Sequence, residues 1–174
     1  NDNGTWTQVG DDIDGEASGD YSGASVSLSA NGSRVAIGGE FNDGNGDASG
    51  HVRIYENVNN IWTQVGDDIN GEAEDNNSGA SVSLSADGST VAIGAPRNNG
   101  SNGDKSGHVR IYQDDNGTWT QVGDDIDGEA SDDKSGASVS LSADGSKVAI
   151  GAYANDGNGT RSGHVRIYQN VNNI

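Results

Sequence analysis

The chain has 174 residues, a formal net charge of −18, only 30% hydrophobic residues and no cysteine. Its nine basic residues are spread along the sequence, which argues against a phosphate-binding surface and therefore against nucleic acid as a partner. No apolar run approaches the roughly 18 residues of a membrane span, so membrane insertion is not expected. The apolar residues recur in short alternating runs, which predicts an ordered chain despite the high charge.

One block of about 56 residues occurs three times in the sequence. It opens with the letters WTQVGDDI at Trp6, Trp62 and Trp119, and continues each time through SGASVSLSA, VAIG and SGHVRIY. A fixed period of this length indicates stacked or radial units, because a single unit cannot bury its apolar surface alone. The sequence therefore predicts a repeat architecture.

Each repeat is predicted to contain four short antiparallel strands. In the middle repeat, small polar and apolar residues alternate at period two, and an Asp87-Gly88 pair marks the turn of the first hairpin. The predicted strands there are 80–85, 90–94, 108–112 and 118–122. The fold class is thus all-β, with four-stranded antiparallel units of the type found in β-propeller blades.

The fixed order of these motifs resembles the FG-GAP repeat of integrin α chains. The GAP element stands as Gly94-Ala95-Pro96, and Ser78-Gly79 takes the place of the Phe-Gly pair. The resemblance covers the chain three times and implies an extracellular or cell-surface β-propeller. The family's calcium loop between its first and second strands is shortened here to turns such as 86–89, which offer too few oxygen ligands for calcium.

The repeat boundaries predict an incomplete ring. Residues 1–21 are assigned to the outer strand of a split blade (6–9) and an acidic linker, 22–77 and 78–134 to two complete blades, and 135–174 to a third blade without its outer strand. Three blades are too few to close, since about four to eight are typical. Two copies pairing end to end would form a six-bladed ring, or a filament if the rotation does not close. The absence of methionine favours a third interpretation, an excerpt of a longer polypeptide.

The leading functional hypothesis is a non-enzymatic extracellular module, structural or adhesive, that self-associates by completing its split blades. The alternative is a propeller that binds a glycan or protein through the loops between its second and third strands, which are the most variable segments. Acid-catalysed hydrolysis is supported only by the abundance of carboxylates, and no enzyme activity is expected.

Several residue sets are singled out as candidate sites. Calcium is the candidate ligand of the loops between strands two and three, where oxygen donors alternate with glycine. The repeated Asp-Asp pairs are expected to be structural and to pair with backbone N–H groups or with arginines. His51, His108 and His164 lie in different repeats without a neighbouring ligand in sequence, and no metal site is predicted there. The predicted calcium ligands are Asp43, Asn45, Asp47, Asp156 and Asn158, and the repeated structural positions are Trp6, Trp62, Trp119, Tyr55, Tyr112, Tyr168, Arg53, Arg110 and Arg166.

Six Asn-x-Ser/Thr sequons fall in predicted turns, where an attached glycan would have room. In a secreted eukaryotic protein they would make the chain a glycoprotein. The candidate asparagines are Asn3, Asn31, Asn76, Asn99, Asn116 and Asn158.

Overall fold

The computed structural model describes residues 4–171, which form antiparallel β-sheets joined by turns and loops. The strands are β1 (Ser25–Leu28), β2 (Arg34–Gly39), β3 (His51–Val58), β4 (Ile61–Gln64), β5 (Ile69–Asn70), β6 (Ser81–Leu84), β7 (Thr90–Ala95), β8 (His108–Asp115), β9 (Thr118–Gln121), β10 (Ile126–Asp127), β11 (Ser138–Leu141), β12 (Lys147–Ala152) and β13 (His164–Gln169). Among these residues no helix has the length and apolar character needed to cross a membrane. The predicted all-β class and its four-stranded groups are confirmed.

Each repeat forms one sheet. The first sheet runs β1-β2-β3-β4, the second repeats this order with β6 to β9, and the third contains β11-β12-β13. The innermost strands β1, β6 and β11 lie side by side, so the sheets are stacked in sequence order. A closed ring is not formed by the described residues.

The outer strand of each complete sheet is interrupted. β4 pairs with the end of β3, where Tyr55 lies opposite Gln64, and β5 pairs with its beginning, where Val52 lies opposite Ile69. The intervening residues leave the ladder, with Gly66 at a φ of 73°. In this register Trp62 lies opposite Asn57 and not opposite Tyr55.

Neighbouring sheets pack face to face. We call the side of the first sheet that carries Ala36, Val52 and Ile54 its back face, and the side that carries Val26, Leu28 and Tyr55 its front face; the names apply to equivalent positions of the other sheets. The back face of the first sheet packs against the front face of the second, and the back face of the second against the front face of the third. The two cores of the chain are therefore the two junctions between sheets.

Small residues allow the inner strands to approach closely across each junction. The Oγ of Ser25 donates to the carbonyl oxygen of Gly79 at 2.6 Å, and Ser81 donates to Gly136 at 2.7 Å. A Cβ atom at Gly38 or Gly94 would overlap the same carbonyl oxygens. Glycine at these strand positions is thus required by the neighbouring sheet rather than by backbone conformation.

The structure contains no strand at residues 6–9, where the sequence predicted the outer strand of a split blade. These residues form no strand within residues 4–171, where the edge that lacks an outer strand belongs to β13 in the third sheet and not to the sheet beside them. The carbonyl oxygen of Val9 instead accepts a hydrogen bond of 2.8 Å from the Nε1 of Trp62. The repeat boundaries assigned from the sequence stay predictions.

Replacing Gly94 with Ala should destabilise the chain by about 1–3 kcal/mol, because the added methyl group would overpack the junction against Gly136. The matched control is Gly151→Ala at the same position of the third sheet, where the Cβ would meet only Ser138, whose hydroxyl can rotate. Urea unfolding at low protein concentration, followed by tryptophan fluorescence, measures the free energy of unfolding of both variants and of the parent chain. Equal losses of stability would show that the junction does not impose the glycine.

Candidate functional site

The two ends of the sheet stack expose apolar faces that are covered everywhere else. On the front face of the first sheet Val26 is 63% exposed, whereas its equivalent in the second sheet, Val82, is 8% exposed. On the back face of the third sheet Val165 is 66% exposed, whereas Val109 in the second sheet is fully buried. The difference comes from the neighbour and not from the side chain, because the residue type is the same at both positions.

A groove opens beside the third sheet at the place where the other sheets carry an outer strand. At the first junction Trp119 packs against the core and donates its Nε1 hydrogen to the carbonyl oxygen of Val65 at 2.9 Å. The second junction has no equivalent tryptophan among the described residues, and its groove has a volume of about 550 Å³, against about 300 Å³ beside Trp119. Val122, Leu141 and Tyr168 line it. Trp6, the remaining tryptophan, is 98% exposed.

A second candidate site lies at the start of the third strand of each sheet. His51 opens β3 and is only 1% exposed. Its Nδ1 atom has no hydrogen-bond partner, and it faces the Oδ2 of Asp68 at 3.5 Å and the Oε2 of Glu16 at 3.7 Å. Glu16 comes from the linker before the sheet and Asp68 from the interruption between β4 and β5, so three distant segments meet at one imidazole.

The same arrangement recurs in the second repeat. The Nδ1 of His108 faces the Oδ2 of Asp125 at 3.3 Å and the Oε2 of Glu72 at 3.7 Å, again without a hydrogen-bond partner. In the third repeat His164 faces Glu129 at 3.6 Å, and no third donor is found within residues 4–171. Burial is the largest influence on the pKa of the imidazoles in the two complete clusters. It lowers the pKa of both His51 and His108.

Neighbouring side chains fix the orientation of the carboxylates. The Nε2 of Gln64 donates to the Oδ1 of Asp68 at 2.7 Å, which leaves Oδ2 directed at the imidazole. The Nη1 of Arg53 lies 3.6 Å from the Oε1 of Glu16, which leaves Oε2 directed the same way. Gln121 and Arg110 hold the equivalent carboxylates of the second repeat.

The predicted arginine partners need one correction. The arginines do not pair with the Asp-Asp segments; Arg53, Arg110 and Arg166 instead lie near Glu16, Glu72 and Glu129. Each guanidinium also lies over the tyrosine two residues later, at 5.4–5.6 Å from the rings of Tyr55, Tyr112 and Tyr168. Asp68 and Asp125, the second residues of two of these Asp pairs, face His51 and His108 instead of an arginine.

The proposed calcium ligands are placed in the loops between the second and third strands. The Oδ1 of Asp43 accepts a hydrogen bond from the N–H of Ala48 at 2.9 Å, and Asp156 accepts one from Arg161 at 2.6 Å. The side chain of Asn45 donates to the carbonyl oxygens of Gly71 and Glu72. For Asp47 and Asn158 the structure records only backbone hydrogen bonds, and calcium binding stays a prediction.

The sequons differ in exposure. Asn31, Asn99, Asn116 and Asn158 are exposed in turns, where a glycan would have room. Asn76 is buried and accepts a hydrogen bond of 2.8 Å from Asn98, so modification there would break this contact. Asn3 lies outside the described residues. Glycosylation stays a prediction at all six positions.

The hairpin turn between the first two strands of each repeat is held by one side chain. In the third repeat the Oδ1 of Asp144 accepts hydrogen bonds from the hydroxyls of Ser142 and Ser146 and from the N–H of Ser146. Asn31 accepts the equivalent hydrogen bonds in the first repeat. The hydrogen bond from Ser142 is the largest cause that lowers the pKa of Asp144, from 3.8 to about 2.

Comparison with known families identifies one of the repeats. Residues 125–168 match the family model described as the FG-GAP repeat, which confirms the resemblance found in the sequence. No curated protein matches the chain in sequence.

Several solved structures share the fold. A candidate 6-phosphogluconolactonase from Bacteroides uniformis aligns with a TM-score of 0.57 and 16% identity, over 86% of this chain and 37% of that one. The periplasmic gluconolactonase of Pseudomonas aeruginosa aligns with a TM-score of 0.55 and 17% identity, over 83% and 38%. Hydrazine synthase of Kuenenia stuttgartiensis aligns with a TM-score of 0.53 and 10% identity, over 95% and 36%. The chain thus spans little more than a third of each of these structures.

These neighbours overturn the expectation that the chain is not an enzyme. Two of them are described as lactonases, so the β-propeller-like fold found here also occurs in enzymes. At this low identity the likeness shows the fold alone and assigns no reaction to the chain.

The lowered pKa of Asp144 predicts a stability loss in acid. Because the carboxylate is held charged in the folded state, its contribution is complete above about pH 4 and is lost as the pH falls toward 2. The variant Asp144→Asn keeps the acceptor, as Asn31 does, but cannot titrate. Unfolding midpoints from pH 2 to 6 should show the parent losing stability relative to the variant below pH 4. A difference that is constant over this range would contradict the assignment.

Proposed function

We propose that the chain is a β-propeller-type repeat module that assembles head to tail with a second copy of itself. The back face of the third sheet would pack on the front face of the first sheet of the next copy. The observation that carries this proposal is the equivalence of the open and covered faces, since Val26 repeats as the buried Val82 and Val165 as the buried Val109. A second copy therefore presents a surface that the chain already buries twice within itself.

The same contact would supply the missing outer strand. Residues 5–8 of the second copy repeat the sequence of β9 and can lie along β13 as β9 lies along β8. The register of the second sheet, in which Tyr112 lies opposite Gln121, places Gln8 opposite Tyr168. Trp6 would then fill the groove and donate to the carbonyl oxygen of Val122, as Trp119 donates to Val65.

Apolar burial supplies the driving force of this assembly. Val26 and Leu28 on the front face, and Val165 and Ile167 on the back face, are all more than 60% exposed in the single chain. Burying such a side chain is worth about 1.5–3 kcal/mol, before the cost of ordering the two partners. The contact joins two different surfaces, so it either closes into a six-sheet ring or continues as a filament.

The FG-GAP repeat at residues 125–168 supports an extracellular structural or adhesive role for such an assembly, because the repeat is typical of extracellular proteins. A second candidate role is recognition of a glycan or protein by the loops between the second and third strands. That role is favoured by the hydrogen bonds from Asn45 and Asn102 to the next linker, which hold these loops in fixed positions. A glycan array probed with and without calcium tests it, and the absence of any bound glycan would count against it.

Substituting Ile167 by Asp should abolish self-association, because it places a charge at the centre of the contact while leaving the single chain unchanged. Ile167 is 72% exposed, and its equivalent Ile54 is fully buried. The matched control is Ile61→Asp, a residue 66% exposed at the tip of the β3–β4 hairpin, where its pairing with Val58 places it on the back face of the first sheet and so on neither of the two open faces. Light scattering after size exclusion should give dimers or larger species for the parent and the control, and monomers for Ile167→Asp.

Removing the tryptophan side chain with Trp6→Ala tests the strand separately from the faces. The expected result is an association weakened by at least about tenfold, because burial of a large aromatic side chain and its hydrogen bond are lost. Analytical ultracentrifugation at several protein concentrations measures the association constant. A parent chain that remains monomeric at high concentration, or an unchanged constant in Trp6→Ala, would defeat the proposed strand exchange. Electron microscopy of the assembled parent separates ring from filament.

A further inference from the structure

The Glu-His-Asp cluster contains a polar atom that the fold leaves unsatisfied. The imidazoles of His51 and His108 are almost completely buried, and the Nδ1 atom of each has no hydrogen-bond partner. A buried polar atom without a partner destabilises the fold, so its repetition in two repeats indicates a ligand at this position.

The distances within the cluster are too long for direct hydrogen bonds. A charge-assisted N–H···O bond measures about 2.7–2.9 Å, whereas Nδ1 lies 3.3–3.7 Å from the two carboxylate oxygens. A metal ion held at about 2.0–2.2 Å by nitrogen and oxygen ligands separates neighbouring tetrahedral ligands by about 3.4 Å. In each cluster the three donor atoms lie within 4.8 Å of one another. The spacing therefore fits three ligands around one ion.

The negative charge of the cluster also favours a bound cation. Two carboxylates face the imidazole, and the nearest guanidinium, that of Arg53, approaches only the outer oxygen of Glu16 at 3.6 Å. Gln64 and Gln121 fix the aspartates through their far oxygens, as outer hydrogen bonds do for metal ligands. The donors are thus oriented in advance.

We propose that each of these two clusters binds one divalent first-row transition metal ion, with Zn²⁺ as the representative. The ligands are Nδ1 of the histidine and one oxygen from each carboxylate. A nitrogen donor combined with two carboxylates favours such an ion over Ca²⁺ or Mg²⁺, which prefer oxygen ligands alone. Three protein ligands leave a position for water or for an external ligand.

The third repeat is an internal comparison. Glu129 and His164 offer two donors, which is too few for a tight site. In the assembly proposed above, Asp12 of the second copy takes the position of Asp68 and Asp125. The two complete sites do not depend on that assembly, so the test is made in the Ile167→Asp background, where a second copy contributes nothing.

The test is titration of the full chain with Zn²⁺ by calorimetry, in physiological salt and an excess of Ca²⁺ that occupies exposed carboxylates. The expected result is two ions per chain. Asp68→Asn should reduce this to one, and Asp68→Asn combined with Asp125→Asn should abolish binding. These side chains are 25% and 29% exposed and keep the hydrogen bond from their glutamine, so the chain should stay folded.

The matched control is Asp67→Asn combined with Asp124→Asn, which removes the same charge from exposed neighbours outside the clusters. It should keep two ions, with affinity changed by less than about threefold. Gln64→Ala should weaken one site by about 10–100-fold through loss of its orienting hydrogen bond. Co²⁺ provides a second readout, since a paramagnetic ion at Nδ1 shifts the ring resonances of His51 and His108.

The result that would overturn the proposal is a parent chain that binds no Zn²⁺ under these conditions. Equal loss of binding in the control pair would also overturn it, since that would locate the ions on the acidic surface in general. Binding without any shift of the histidine resonances by Co²⁺ would do the same.

Discussion

The close approach of neighbouring sheets at their inner strands is the constraint on which the rest of the structure depends. Each junction brings a glycine of one sheet against the carbonyl oxygen of Gly79 or Gly136 in the next, and a serine hydroxyl bonds to the same oxygen. Side chains larger than Ser or Ala on the inner part of the back face would hold the sheets apart. The larger Val and Ile side chains lie further out, on β3 and β8, where the junction has room for them.

This arrangement explains why a chain with so few apolar residues can fold. No sheet has a core of its own, because the apolar residues of a sheet lie on two faces and each face needs a neighbour. The remaining composition is then free to be acidic and turn-rich. Turns such as that of Asp144 are closed by side-chain hydrogen bonds, so they need little apolar support.

Local patterns made most of the strands predictable, while contacts between distant segments remained hidden. The hairpin from β6 to β7 was placed to within one residue, since period-two alternation and an Asp-Gly turn are read locally. β5 and β10 were missed because two-residue strands have no period. The Glu-His-Asp cluster was missed because its members come from three separate segments, and pairing the acids with arginine was the simpler interpretation. The available signal was that Glu16, His51 and Asp68 recur in the second repeat as Glu72, His108 and Asp125, with separations that differ by at most one residue.

The open end of the third sheet lacks three things at once: a covering face, an outer strand with its tryptophan, and the aspartate of the histidine cluster. The strand and the aspartate are both encoded by one segment, residues 5–12, and the first sheet that follows carries the covering face. A single docking event would therefore complete all three. Ion binding at that junction would then favour docking, and docking would favour ion binding by the same factor, because coupling between two binding events is reciprocal. At the two complete clusters an ion could only stabilise the fold, since all three ligands there already belong to one chain.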